Sequence, residues 1–170
     1  MSGTVRPATP GDVPVISQLI RELAAYEREP DAVEATEELL RTALFVERTC
    51  SAHVAENAGA VVGFALWYPT FSTWTGRPGL WLEDLFVRPV ARGTGLGRAL
   101  LEALAAVCVE RGWRRFEWWV LDWNTPAHGF YESVGAVPQD DWTVWRVDDD
   151  ALAALASPIV RLSGRARRRH

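Results

Sequence analysis

Apolar residues at Val13, Ile16, Leu19, Ile20 and Leu23 recur every three or four positions and predict an early amphipathic helix. Asp12 stands where a cap is expected, and Pro14 is tolerated in the first turn, where a missing N–H breaks no helical bond. Ahead of it, Thr4–Ala8 reads as a strand, and a second, short helix is expected from about Thr36 to Val46. The pattern then shortens to that of strands at Ser51–Glu56, Ala60–Phe71 and Leu80–Val87, the first two joined by the hairpin signal Asn57-Ala58-Gly59. The strongest helical period starts near Gly95 and runs through Leu96, Ala99, Leu100, Ala103, Leu104, Val107 and Cys108, with Gly112 as its stop. A strand at Arg115–Leu121 follows, then a helix opened by Thr125-Pro126 and ended by Gly135. A strand at Thr143–Val147 and a last helix near Asp149–Ala156 complete the order. Helices first, antiparallel strands next, then strand–helix–strand: the pattern is a mixed α/β layer.

With 170 residues, no internal repeat and no Gly/Ser/Pro linker, the chain reads as one domain over 1–160 followed by a basic tail at 161–170. No apolar run is long enough to cross a membrane, and Met1-Ser2-Gly3-Thr4 does not begin a secretory signal. Cys50, Cys108 and three scattered histidines have neither disulfide nor zinc spacing, so a reduced, cytoplasmic protein without a metal is expected. Charge is uneven. The tail carries five arginines and no acid, leaving thirteen arginines against 22 acids in the first 160 residues. An acidic body disfavours nucleic acid and favours small cations. The tail has the charge to meet RNA or phosphate, but chain ends more often simply fray into solvent.

The segment Val87-Arg88-Pro89-Val90-Ala91-Arg92-Gly93-Thr94-Gly95-Leu96-Gly97-Arg98 follows an apolar strand and opens the strongest helix. Glycines let a backbone approach a ligand, and unpaired N–H groups at a helix start favour an anion. A phosphate-binding turn is therefore expected; a plain tight turn needs fewer glycines and no flanking arginine. A P-loop requires Gly-Lys-Ser/Thr, and this chain has no lysine. The dinucleotide fingerprint requires Gly-x-Gly-x-x-Gly early in a βαβ unit, whereas here Gly-x-Gly-x-Gly lies mid-chain after antiparallel strands.

Arg92-x-x-Gly95-x-Gly97 resembles the Arg/Gln-x-x-Gly-x-Gly/Ala signature of the GNAT superfamily of N-acetyltransferases. The likeness extends over residues 4–156 to the diamine (spermidine/spermine) and thialysine N-acetyltransferase branch. It rests on Val5–Thr9, Glu22-Leu23-Ala24 through Tyr26-Glu27, Val62–Ala65, Leu82–Val87, Trp123–Pro126, Phe130-Tyr131 and Gly135-Ala136. The resemblance implies an α/β GNAT fold: a mixed, mostly antiparallel sheet with splayed central strands, flanked by helices. It implies acetyl-CoA as co-substrate, a small amine as acceptor and a homodimer that uses the strand Trp142–Val147. By the same likeness, the backbone of Leu85, Phe86 and Val87 pairs with the pantetheine arm. Arg92, Gly93, Thr94, Gly95, Leu96, Gly97 and Arg98 wrap the pyrophosphate, and Asn124, Pro126, Ala127 and Tyr131 complete the coenzyme site. Tyr26, Glu27, Trp74, Glu83, Asp84, Glu117, Trp118, Trp119 and Asp140 fall at or near substrate-lining positions.

Acetyl transfer needs a neutral amine, a polarised thioester carbonyl and a proton for the departing thiolate. An alkylamine with a pKa near 10.4 is neutral in only about one molecule in a thousand at pH 7, so a base must help. Strand alternation places Trp81, Glu83, Leu85 and Val87 on one face and Leu82, Asp84 and Phe86 on the other. Two adjacent carboxylates in an apolar strand are costly unless used; the bland alternative is one solvated acid and one paired with an arginine. The resemblance makes Glu83 the base and Tyr131 the acid that protonates the thiolate; the alternative for Tyr131 is a buried ring with a structural hydrogen bond. Departures from the branch lie on the substrate side. Gly76–Gly79 makes the connection after Trp74 one residue longer, the loop from Gly135 to Trp142 is shorter, and Trp118 and Trp119 are bulkier. Acids and aromatic faces suit an ammonium. Acetylation of a protein lysine or N-terminus, and a non-catalytic coenzyme A-binding module, are the competing readings.

Overall fold

The helical and alternating periods resolve into elements close to those expected. A computed structural model describes residues 3–156, so the basic tail expected at 161–170 lies outside the described residues. Strand β1 (Thr4–Pro7) leads into α1 (Val13–Tyr26), and α2 (Glu37–Arg41) widens into a π turn at Thr42–Val46. Strands β2 (Ser51–Asn57), β3 (Ala60–Ser72) and β4 (Arg77–Val87) precede α3 (Leu96–Glu110), β5 (Phe116–Glu117) and α4 (Thr125–Ser133). Residues 149–156 are again helical. The chain forms two compact units, Met1–Phe130 and Tyr131–His170.

The first unit holds a five-stranded sheet in the order β1-β2-β3-β4-β5, antiparallel except for the β4–β5 pair, which is parallel. Asn57 faces Ala60, and both residues between them have positive φ (Ala58 51°, Gly59 80°), so β2 and β3 are joined by the tight turn that suits strand twist. Helix α1 lays Ile16, Leu19 and Leu23 onto Val54, Phe64, Leu66 and Phe86 of the sheet. Each such side chain stabilises the fold by about 1.5–3 kcal/mol through burial. On α3, Leu101 joins the expected buried positions Leu96, Leu100, Leu104 and Cys108, because a helix against a sheet buries a stripe broader than one row. No helix among the described residues is long and apolar enough to cross a membrane.

Asp12 departs from its expected role. Its side chain does not cap α1; it accepts from the N–H (2.7 Å) and hydroxyl (2.8 Å) of Thr9 and from both terminal nitrogens of Arg6 (2.8 and 2.9 Å). Arg6 and those local donors hold the Asp12 carboxyl well below the usual carboxylate range.

Two expected strands also differ. Of Arg115–Leu121, only Phe116 and Glu117 pair with β4, opposite Leu80 and Trp81. The cause lies in β4, where Leu82 faces Trp67 and Asp84 faces Leu66, leaving Glu83 as an extra, unpaired residue. Such a bulge bends its strand, and β5 loses its neighbour beyond Trp81. At Thr143–Val147 no strand forms. Alternation of apolar residues is only a potential strand; without a neighbour to take its N–H and C=O groups, no ladder is made.

Candidate active site

The bulge at Glu83 decides the geometry of the acids. Regular alternation would set Glu83 and Asp84 on opposite faces, but the extra residue breaks it. Asp84 stands opposite Leu66, and Glu83 reaches Tyr68 and Trp81, which face each other across the strands. Leu66 and Tyr68 are two residues apart on β3 and share a face, so both carboxylates end on that face. The expected division of β4 into two faces is corrected accordingly: Trp81, Asp84 and Phe86 lie together, opposite Leu82 and Leu85.

The Glu83 carboxylate accepts two hydrogen bonds on one oxygen, Oε2: from Trp81 Nε1 at 3.0 Å and from the Tyr68 hydroxyl at 3.3 Å. Asp84 is pushed up to about 7, first by burial, then by the charges of Glu83 and Glu27. Glu27 ends α1, and burial pushes its carboxyl up as well. None of these three acids forms an ion pair among the described residues. Three carboxylates gathered without a cation make a cost that a bound cation removes.

That cost carries a testable sign. Because the folded pKa of Asp84 lies above its ordinary value of 3.8, its ionised form destabilises the fold. The penalty is absent below pH 3.8, grows as pH rises towards 7 and is complete above it. Asp84→Asn is therefore expected to raise stability at pH 8 by on the order of 1–3 kcal/mol, and by nothing at pH 4. Urea unfolding at the two pH values checks this, and an equal effect at both would contradict it.

Three residues along the strand from Asp84, about 10 Å away, β4 ends at Val87, and a single 3-10 turn at Pro89–Ala91 leads from it to the glycine turn. Gly93 (φ 77°) and Gly95 (φ 86°) are left-handed, which costs other residues about 1–2 kcal/mol each. A Cβ built on either would meet nothing within 4 Å, so the surface of the turn is open. Among the described residues, no backbone N–H from Gly93 to Arg98 donates to a backbone carbonyl, and those of Leu96, Gly97 and Arg98 lie in the first turn of α3. The Thr94 hydroxyl fixes the turn by donating to the Ala91 carbonyl at 2.6 Å. The result is a row of free donors at the positive end of a 15-residue helix, fit for a pyrophosphate. Leu85, Phe86 and Val87 pair on one side with Ala65, Phe64 and Gly63, while their other edge has no strand beside it among the described residues.

The arginines of the turn are engaged. Arg92 Nε donates to the Val87 carbonyl (3.0 Å), and its guanidinium lies 4.8 Å from the Tyr26 ring and 5.7 Å from that of Phe86. Arg98 pairs with Glu102 one turn along α3. The Tyr26 hydroxyl donates to Asn124 Oδ1 at 3.1 Å, and the Asn124 carbonyl accepts from the N–H groups of Ala127 and His128. Asn124, Pro126 and Ala127 thus form the start of α4.

The remaining expected residues divide. Trp119 packs edge-on against Trp81 (4.8 Å), and Trp118 packs against Phe116 (5.0 Å). Glu117 faces Trp81 across the ladder and is paired with Arg115 at 3.7 Å. Trp74 sits in the β3–β4 turn, 84% exposed. Tyr131 and Asp140 belong to the second unit, Tyr131 on α4. The sequence reading missed Tyr68 and Trp81 as partners of Glu83, and Trp123, which packs at a tilt against Tyr26 (6.1 Å) and carries the Arg28 guanidinium (4.6 Å). Only cross-strand register exposes Tyr68, fifteen residues from Glu83. No group of three or more His, Cys, Asp or Glu among the described residues is placed to hold a metal ion.

The parallel β4–β5 pairing stops at Trp81, and a glycine turn follows the far end of β4. Residues 16–136 match the Acetyltransferase (GNAT) family, and the chain belongs to it. It is 37% identical over 164 residues to thialysine N-epsilon-acetyltransferase from Sus scrofa, covering 89% of this chain and 96% of the relative. An L-ornithine N5-acetyltransferase from Arabidopsis thaliana is 31% identical, covering 91% and 88%. The spermidine/spermine N(1)-acetyltransferase-like protein 1 of Homo sapiens is 32% identical, over 89% of this chain but 23% of that protein. Among solved structures, an integron cassette protein from the mobile metagenome of V. cholerae superposes with a TM-score of 0.76 at 25% identity, covering 92% and 98%. Members of this family use acetyl-CoA as co-substrate.

Proposed function

We propose that this protein transfers acetyl from acetyl-CoA to a primary amine of a small cationic molecule by direct attack. The reading rests above all on Glu27, Glu83 and Asp84, three acids without a counter-cation among the described residues, beside a strand edge that leads towards an anion-binding turn. Acetyl-CoA supplies the activated thioester. The free N–H groups of Gly93–Arg98 hold its pyrophosphate, and the open edge of Leu85–Val87 aligns its arm. The acids draw in the ammonium; Glu83 takes a proton from the amine, directly or through water, as nitrogen attacks the carbonyl carbon. Backbone N–H groups of the same strand stabilise the oxyanion. Tyr131 gives its proton to the sulfur as the C–S bond breaks. Relatives named for thialysine, ornithine and spermidine/spermine support a free, cationic amine as acceptor.

Thiol release from acetyl-CoA, followed with thialysine, L-ornithine, spermidine and a lysine peptide, tests this reading. Turnover on the free amines and not on the peptide is expected. Turnover on the peptide alone, or on none of them, overturns it.

We also propose a homodimer, with residues 1–160 as the acetyltransferase domain. Support comes from the apolar run of the second unit, where Trp142 is 72% and Trp145 90% exposed. Patches of this kind mark association surfaces. Light scattering at micromolar concentration is expected to give twice the chain mass; the monomer mass would contradict the assignment.

A further inference from the structure

We propose that Tyr68 and Trp81 are positioning residues that set the orientation of the Glu83 carboxylate for the acetyl-transfer reaction. The inference rests on the reading of Glu83 as the base and adds to it. Glu83 is the bulged residue of β4 and has no partner on β3, so the ladder does not fix where its side chain points. A base must stay within hydrogen-bond reach of the nitrogen it serves, and about 1 Å of misplacement costs on the order of a hundredfold in rate. Something else has to hold it.

Two side-chain donors hold it. Tyr68 and Trp81 face one another across β3 and β4, one pair beyond the bulge and both on the same side of it, and both donate to the same oxygen. Glu83 Oε1 accepts no hydrogen bond among the described residues. One oxygen is therefore anchored by two donors and the other is left for an incoming N–H. Neither donor is free to swing. Trp81 is half-buried and braced by the edge of Trp119 at 4.8 Å. The Tyr68 hydroxyl is pushed above its ordinary value, first by burial and then by the Glu83 charge, so it keeps the proton it donates.

The test is a double-mutant cycle on thialysine turnover, with a spectroscopic reading that needs no turnover. Tyr68→Phe and Trp81→Phe remove the donors and keep the rings. Each is expected to lower kcat about tenfold, with KM for acetyl-CoA unchanged. In a Glu83→Gln background the same changes are expected to cost less than about twofold, because no base remains to be aimed. Full, multiplicative losses in that background would show a merely structural role and overturn the proposal; so would single variants within twofold of wild type. Independently, the Trp81 indole N–H resonance of ¹⁵N-labelled protein is expected to move upfield in Glu83→Gln, as a charged acceptor becomes neutral. An unmoved resonance overturns the proposal even if thialysine is not the substrate. Failure of the base assignment looks different: Glu83→Gln then turns over normally while the indole resonance still shifts.

Discussion

Replacing Tyr131 with Phe is expected to lower kcat by about a hundredfold or more, the range in which a general acid contributes. The hydroxyl is the only thing removed, so ring packing on α4 and affinity for acetyl-CoA should change little. A thiolate leaving without a proton source must be expelled as an anion, and the cost falls on the chemical step alone. Pre-steady-state turnover at saturating acetyl-CoA measures that step; a kcat within threefold of wild type would remove Tyr131 from the mechanism. The assignment comes from the match of Phe130-Tyr131 and from the helix that Asn124 and Pro126 open.

Glu83→Gln is expected to lower kcat/KM by about a hundredfold at pH 7 and to recover as pH rises towards the pKa of the amine. Gln keeps an oxygen that can accept from Tyr68 and Trp81, so the side chain stays oriented while basicity and charge are lost. At pH 7 only about one amine in a thousand is neutral, and the base supplies the difference; at pH 10 the substrate supplies its own lone pair. A pH–rate profile with the same loss at every pH would mean that Glu83 binds substrate but does not take its proton. Together the two variants separate proton removal from proton delivery.

Much of this was fixed locally. The faces of α1 and α3, the tight turn at Ala58-Gly59 and the glycine turn at Gly93–Gly95 depend on residues a few positions apart, and their periodicity and glycines announce them. The same holds for the family, since Arg92-x-x-Gly95-x-Gly97 is a contiguous motif. What the sequence could not determine were the features that depend on which strand lies beside which. The length of β5 and the absence of a strand at Thr143–Val147 turn on partners distant in the chain or lacking, and the place of Asp12 turns on the competing local donors Arg6 and Thr9. The bulge is the sharpest case. Alternation along β4 separates Glu83 from Asp84, but a single residue unmatched by β3 brings both acids to the face of Tyr68, because side-chain direction in a sheet is set by pairing register and not by the order of residues alone.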